Sequence, residues 1–259
     1  MKAFSTIFGP ALFAGVLAAS VCTSHGQSIY THGHTDIGLD YRNGALVPHW
    51  HLDAGNIVDG QPLDEESEYA PEALVAQFSG LRGSASGSLD YLSVPTGTPI
   101  YMGGPSVSWQ PYLGFGTEEL DPGEWLGGRI TFSLMSWTAP TGGNFSLYAT
   151  NVSGTATIDI FLSTYDPSVA NIDGIGQNAF YLFAGAHEHY TFGFTTPGTY
   201  ELTLMFSGEH SLGGLASASG TFGFVVVPEP SIGHYLIFSG VAGLLLWRWR
   251  PASSGCSLA

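Results

Sequence analysis

AHEHYTFGFTTPGTYELTLMF, residues 186–206, decides the fold class. It opens on His187 and His189, and residues two apart in a strand project to the same face. Thr196-Pro197-Gly198 then marks a turn, because proline presets φ and glycine accepts positive φ. Beyond the turn Tyr200, Leu202, Leu204 and Phe206 alternate with Glu201, Thr203 and Met205, the period of a half-buried strand. The segment therefore reads as a histidine pair on one strand, a turn, and a core strand that holds it in place. Two more pairs with the same spacing, His32/His34 and His49/His51, lie far upstream. The expectation is that these distant pairs converge.

The upstream pairs sit in a hairpin pattern. His32, His34 and Asp36 fall at i, i+2 and i+4, and so do His49, His51 and Asp53. Between them Asn43-Gly44 is a strong two-residue hairpin signal, so pairing would set the two groups side by side. Pro48 predicts an edge strand or a bulge there. Residues 59–72 read as an acidic loop. Its Asp64, Glu65, Glu66 and Glu68 offer oxygens for Ca²⁺ but lack the spacing and glycine of an EF-hand loop.

Residues 73–78 read as a short strand or helical turn, 80–87 as a Gly/Ser-rich loop, and 89–109 as short pieces broken by prolines. Residues 112–125 read as a loop with an exposed acidic patch at Glu118, Glu119, Asp121 and Glu124. Strands are expected at 129–137, 144–150, 155–163, 179–183 and 220–227, each bounded by Gly, Pro, Asn or Asp. No helical periodicity of useful length appears between residues 27 and 227. The reading is all-β, an antiparallel sandwich of Ig-like or jelly-roll-like type.

Composition narrows the function classes. Residues 27–227 carry three arginines, Arg42, Arg82 and Arg129, against 20 carboxylates, a formal net charge of −17. Such a surface repels nucleic acid and anionic lipid and attracts cations. The two cysteines, Cys22 and Cys256, lie outside that stretch, so neither a disulfide nor a thiolate ligand is available there. A metal must be held by nitrogen and oxygen.

Both ends read as targeting segments. Lys2 precedes an apolar run over residues 4–19, followed by small and polar residues, the pattern of a secretory signal peptide with cleavage near Gly26. The domain expectation is thus a signal peptide at 1–26, an ectodomain at 27–227 and a sorting segment at 228–259. In the last, Pro228-Glu229-Pro230 is followed by an apolar stretch over residues 232–246 and then Trp247-Arg248-Trp249-Arg250. That order resembles the PEP-CTERM sorting signal. The resemblance implies processing by an exosortase, a transient anchor in the inner membrane, and delivery to the cell surface or extracellular matrix.

The ectodomain has a resemblance of its own. GHTDIGLDY (33–41), PHWHLD (48–53), PYLGFGTEEL (111–120) and AHEHYTFGFTTPGTYELTL (186–204) resemble the surface-anchored β domain called choice-of-anchor M. With the sorting tail, the chain is similar to the branch of that family repressed by the zinc-uptake regulator. This implies a surface protein made when zinc is scarce. Carried over position by position, the family's histidines fall on His34, His49, His51, His187 and His189; where the family usually has Trp after the last pair, this chain has Phe192 and Phe194.

Zinc takes about four ligands, and imidazole suits it. With His32 and Asp36 added from the strand spacing, the candidate metal set is His32, His34, Asp36, His49, His51, His187 and His189. His210 stands alone in a Gly-rich stretch, as a fourth ligand or as nothing.

No enzyme is expected. His32-x-His34-x-Asp36 has Ile37 where the metallo-β-lactamase-like motif continues with His, and no helix carries HExxH. No nucleophile elbow or phosphate loop occurs. The competing reading is a structural or exopolysaccharide-binding module of the matrix, with Trp50, Trp109, Trp125 and Trp137 as stacking faces.

Overall fold

The structure is a computed structural model that describes residues 26–79, 82–84, 99–104, 111–150 and 158–228. The expected signal peptide, the sorting segment beyond Pro228 (Glu229 and Pro230 included) and Trp109 lie outside the described residues. Among the described residues no helix is long and apolar enough to cross a membrane.

The chain begins in β1 (Ser28–Arg42), turns at Asn43-Gly44 and returns as β2 (Ala45–Leu52). Both turn residues have positive φ, 54° and 82°, as a two-residue turn matching strand twist requires. Short strands β3 (Ile57–Val58), β4 (Gln61–Pro62) and β5 (Ser67–Tyr69) occupy the acidic segment. A single 3₁₀ turn at Pro71–Ala73 leads into β6 (Leu74–Ser79), followed by β7 (Arg82–Ser84), β8 (Pro99–Gly103) and β9 (Pro111–Gly116). The expected later strands appear as β10 (Arg129–Thr138), β11 (Phe145–Thr150), β12 (Ile158–Ser163) and β13 (Ala179–Phe183). The opening stretch supplies β14 (His187–His189), β15 (Thr191–Phe194) and most of β16 (Gly198–His210), and β17 (Gly214–Val227) closes the domain.

The fold is all-β, in two sheets. The larger follows the path β13-β10-β16-β17-β6-β1-β2-β5, with β9 on β1 and β14 on β9. The smaller runs β12-β11-β15-β8-β7. Phenylalanine rings from both meet in one core: Phe78 of β6 lies 5.2 Å from Phe194 of β15, and Phe115 of β9 stacks on Phe192 at 6.1 Å. Tyr200, Leu202, Leu204 and Phe206 are all buried, as their alternation predicts.

Pairing is mixed rather than antiparallel throughout. β1 runs parallel to β6 and β9, and β17 runs parallel to β6. Parallel neighbours need long connections, and a local pattern of alternation carries no information on which distant strands run side by side. The expected loop at 112–125 is a second correction, because its first residues form β9. Gly114 and Gly116 hide the strand by breaking its apolar alternation with residues of low strand propensity.

Two local features bear on the histidines. At Pro48, β2 has β1 on one side only, because β5 pairs with β2 no further than Trp50; the proline occupies a local edge. Between Tyr30 and His32 the register of β1 shifts against β3, and Gly33 just beyond has positive φ, 109°. Before the shift the buried residue is Tyr30; after it Thr35, Ile37 and Leu39 are buried, so the inward parity switches from even to odd. A bulge adds one residue and flips the alternation.

The hairpin turn offers a clean check on backbone energetics. No heavy atom lies within 4 Å of a Cβ placed on Gly44, so Gly44→Ala meets only the positive-φ penalty, about 1–2 kcal/mol. Urea denaturation should show a loss of that size with the hairpin register kept, because eight β1–β2 residue pairs hold it.

Candidate metal centre

Four strands, in the order β2-β1-β9-β14, build one polar face. Asp36 lies opposite His51 and Gly38 opposite His49 across the hairpin. On the other side Asp36 is level with Gly114 of β9, which is paired with His189, while Gly116 is paired with His187. Since side chains alternate, Ile37, Leu39, Trp50, Leu113 and Phe115 enter the core. His34, Asp36, His49, His51, His187 and His189 share the opposite face.

These residues form two trios. In the first, one ligand atom each from His34, His187 and His189 lies within 4.8 Å of the others. The Nε2 atoms of His34 and His189 face each other at 3.1 Å. Two nitrogens on a tetrahedral zinc stand about 3.3 Å apart, given Zn–N of about 2.05 Å. Carboxylates set the outer edges of the rings: His34 Nδ1 lies 2.9 Å from Asp53 Oδ2, and His187 Nδ1 lies 2.6 Å from Glu118 Oε1. A carboxylate on the far nitrogen orients an imidazole and directs its other nitrogen inward. Tyr112 stacks flat on His189, with centroids 4.0 Å apart.

The second trio is His49, His51 and Glu119. Glu119 Oε1 lies 3.0 Å from His49 Nε2 and 3.1 Å from His51 Nδ1. His49 Nδ1 faces the Val47 carbonyl at 3.1 Å, which fixes that nitrogen as the donor. Glu66 Oε1 reaches His51 Nε2 at 3.1 Å, so one residue of the acidic segment does border the site.

Asp36 lies between the trios and is 1% exposed. Neither of its oxygens has a hydrogen-bond partner, and neither does His189 Nδ1; these are three of the four such buried side-chain atoms among the described residues. Its closest charged neighbour is His34, with Nε2 at 3.7 Å from Oδ2. A buried carboxylate without donors costs several kcal/mol unless it is neutralised or paired. Burial pushes the Asp36 carboxyl up to about 6; His34, His187 and His51 pull it down, and Glu118 adds to the rise. Burial pushes His189 below its ordinary value, with His34 and His187 adding to the fall. Burial alone would also lower His187, but the Glu118 carboxylate outweighs it and the net shift is upward.

Glycines make the room. A Cβ on Gly114 would stand 2.1 Å from Asp36 Oδ1 and 2.9 Å from His189 Nδ1. A Cβ on Gly38 would stand 2.6 Å from His49 Nε2. The residues that hid β9 from the strand pattern are those that let Asp36 and His189 come together.

Five of the seven candidate ligands, His34, His49, His51, His187 and His189, fall into the trios, and Asp36 sits between them. His32 is in neither trio. The expectation of a single convergence is corrected to two adjacent trios. Glu118 and Glu119 lie on an exposed turn, as expected, and from it they also reach the histidines; the signal for that reach is their position directly after a strand that pairs with a histidine strand. His210 is in neither trio. It is buried against Tyr41 and Trp125, with centroids at 4.5 and 5.3 Å. Trp50 and Trp125 are buried in the core, which leaves Trp137, 41% exposed, as the open tryptophan face among the described residues.

Comparison with known proteins leaves the site to speak for itself: no family model, curated protein or solved structure matches the chain.

Proposed function

We propose that this chain is an exported, surface-held protein that binds zinc, with His34, His187 and His189 as nitrogen ligands and Asp36 as the fourth. One observation carries the reading: imidazoles from strands 155 residues apart meet beside a buried carboxylate with no hydrogen-bond partner. Protein interiors rarely leave such a group unpaired, and a divalent cation satisfies it. Three nitrogens and one oxygen suit zinc better than calcium, which prefers six to eight oxygens. The resemblances of the sequence supply the rest of the proposal: export through a signal peptide, exosortase processing at Pro228-Glu229-Pro230, a role in zinc scarcity and a β-sandwich ectodomain. The protein is read as a binder, not an enzyme. Among the described residues the exopolysaccharide reading has the Trp137 face behind it.

Metal analysis of the purified full-length protein after gel filtration tests this. Wild type is expected to retain zinc, and the His34→Ala/His187→Ala/His189→Ala variant, checked for its β-sheet circular dichroism, to lose it. Equal zinc in both would overturn the proposal.

A further inference from the structure

The three-histidine site leaves half of the polar face without a role. His49, His51 and Glu119 are gathered as tightly as the first trio, and they lie on the other side of Asp36. Both Asp36 oxygens are bare, whereas a single zinc needs only one of them. A small cavity lined by Asp36, His51, Gly116, Glu118 and Glu119 opens from Asp36 toward the second trio. Gly116 keeps that cavity open, since a Cβ there would stand 3.4 Å from Asp36 Oδ2.

We infer that the face holds two divalent cations bridged by Asp36. The first ion is held by His34, His187 and His189, and the second by His49, His51 and Glu119. This rests on the zinc-binding reading above and extends it to a second site and a bridge. The chemistry favours such a bridge: the two oxygens of one carboxylate span ions about 3.5–4 Å apart. The second ion also resolves a crowded set of contacts. Glu119 Oε1 now faces two imidazoles at once, and Arg42 lies 3.7 Å from its other oxygen. A cation between them takes the lone pairs of His49 Nε2 and His51 while the Val47 carbonyl holds His49 Nδ1–H. The second site offers two nitrogens and one carboxylate beside Asp36, with Glu118 and Glu66 at its margin, so it is the more acidic of the two.

The outer carboxylates differ in kind between the trios. Asp53 and Glu118 touch the far nitrogens of first-trio histidines, as orienting groups do. Glu119 touches His49 at the nitrogen left free to ligate, as a ligand does before the ion enters.

Two measurements on the full-length protein decide the matter. Native mass spectrometry after zinc loading should give two ions per chain. His49→Ala/Glu119→Gln and His34→Ala/His189→Ala should each give one. Electron paramagnetic resonance after loading two equivalents of Cu²⁺ should show a spin-coupled pair, with the integrated isolated-copper signal falling several-fold below that of one equivalent. Asp36→Asn should restore the uncoupled signal at two equivalents. One ion per wild-type chain, unaffected by His49→Ala/Glu119→Gln, overturns the second site while leaving the three-histidine reading intact. No ion overturns both. Two ions with uncoupled spins overturn the bridge. The conservative His49→Gln variant guards against misfolding, because it too should lose one ion while keeping the wild-type melting curve in EDTA, where neither protein holds metal.

Discussion

Asp36→Asn is expected to stabilise the metal-free protein and to weaken its hold on zinc, two effects of opposite sign from one atom exchange. The carboxyl is pushed from 3.8 to about 6 by burial. A raised carboxyl means the folded state keeps its proton longer than the unfolded state. Its contribution is therefore most favourable below about pH 4 and is lost as pH rises through 6. At pH 7.5 the lost stability is about 3 kcal/mol, from the shift at 1.36 kcal/mol per unit. The amide carries no charge and avoids that cost, but it is left without partners itself, so the expected gain is about 1–3 kcal/mol. For a domain of this size that raises the melting temperature by roughly 3–10 °C in EDTA. At pH 4.5 the gain should shrink toward zero.

With zinc in excess the advantage of Asp36→Asn is offset by up to about 2.7 kcal/mol, the value of a hundredfold loss of affinity. Wild type gains RT ln(1 + [Zn]/Kd), about 2.7 kcal/mol at a hundredfold excess over Kd. The variant should need roughly 100-fold more zinc for the same gain, because one of four ligands is gone. Differential scanning fluorimetry at pH 4.5 and 7.5, with EDTA or zinc, reads all four corners. A less stable Asp36→Asn protein in EDTA at pH 7.5 would show that the buried carboxylate is there for the fold and not for a cation.

Why a fold would tolerate such a group bears on what was legible in the sequence. Period-two spacing of His34/Asp36, His49/His51 and His187/His189 was readable, because alternation is a local property of strands. The hairpin was readable from Asn43-Gly44, and with it the pairing of Asp36 with His51. The approach of His189 to His34 was expected only in general form, since nothing local specifies a partner 155 residues away. Its vehicle, β9, was missed. Gly114 and Gly116 lower strand propensity at the positions where a Cβ would strike Asp36 or His189. Local preference was given up where the site needed space, which is where sequence reasoning is expected to fail. His32 has the spacing of a partner to His34 yet is in neither trio; the period-two pattern does not say which of its members meet a distant strand. Glu118 and Glu119 read as an exposed acidic patch and are one; the sequence did not show that the pairing of β9 with β14 sets that patch beside the histidines.

The pH dependence of zinc binding follows from the same neighbours. A ligand must lose its proton before it can bind metal, so each ligand below its own pKa costs up to tenfold in affinity per pH unit. Glu118 raises His187 despite its burial, so protons compete there first. Asp36 follows near pH 6, where its carboxyl takes up a proton and stops ligating. Burial lowers His189, so it keeps its lone pair to lower pH than His187. Affinity should thus fall gently just below pH 7.5 and steepen below 6, by roughly 10²–10³-fold between pH 7.5 and 5.5. Glu118→Gln removes the group that raises His187 and should shift the first, shallow part of the curve to lower pH. Competition against a chromophoric chelator across this range measures the profile. An ion held mainly by surface carboxylates behaves otherwise: such groups titrate near 4 and prefer calcium. Zinc still bound at pH 5, or displaced by millimolar calcium at pH 7.5, would mean that the histidine face is not where the metal sits.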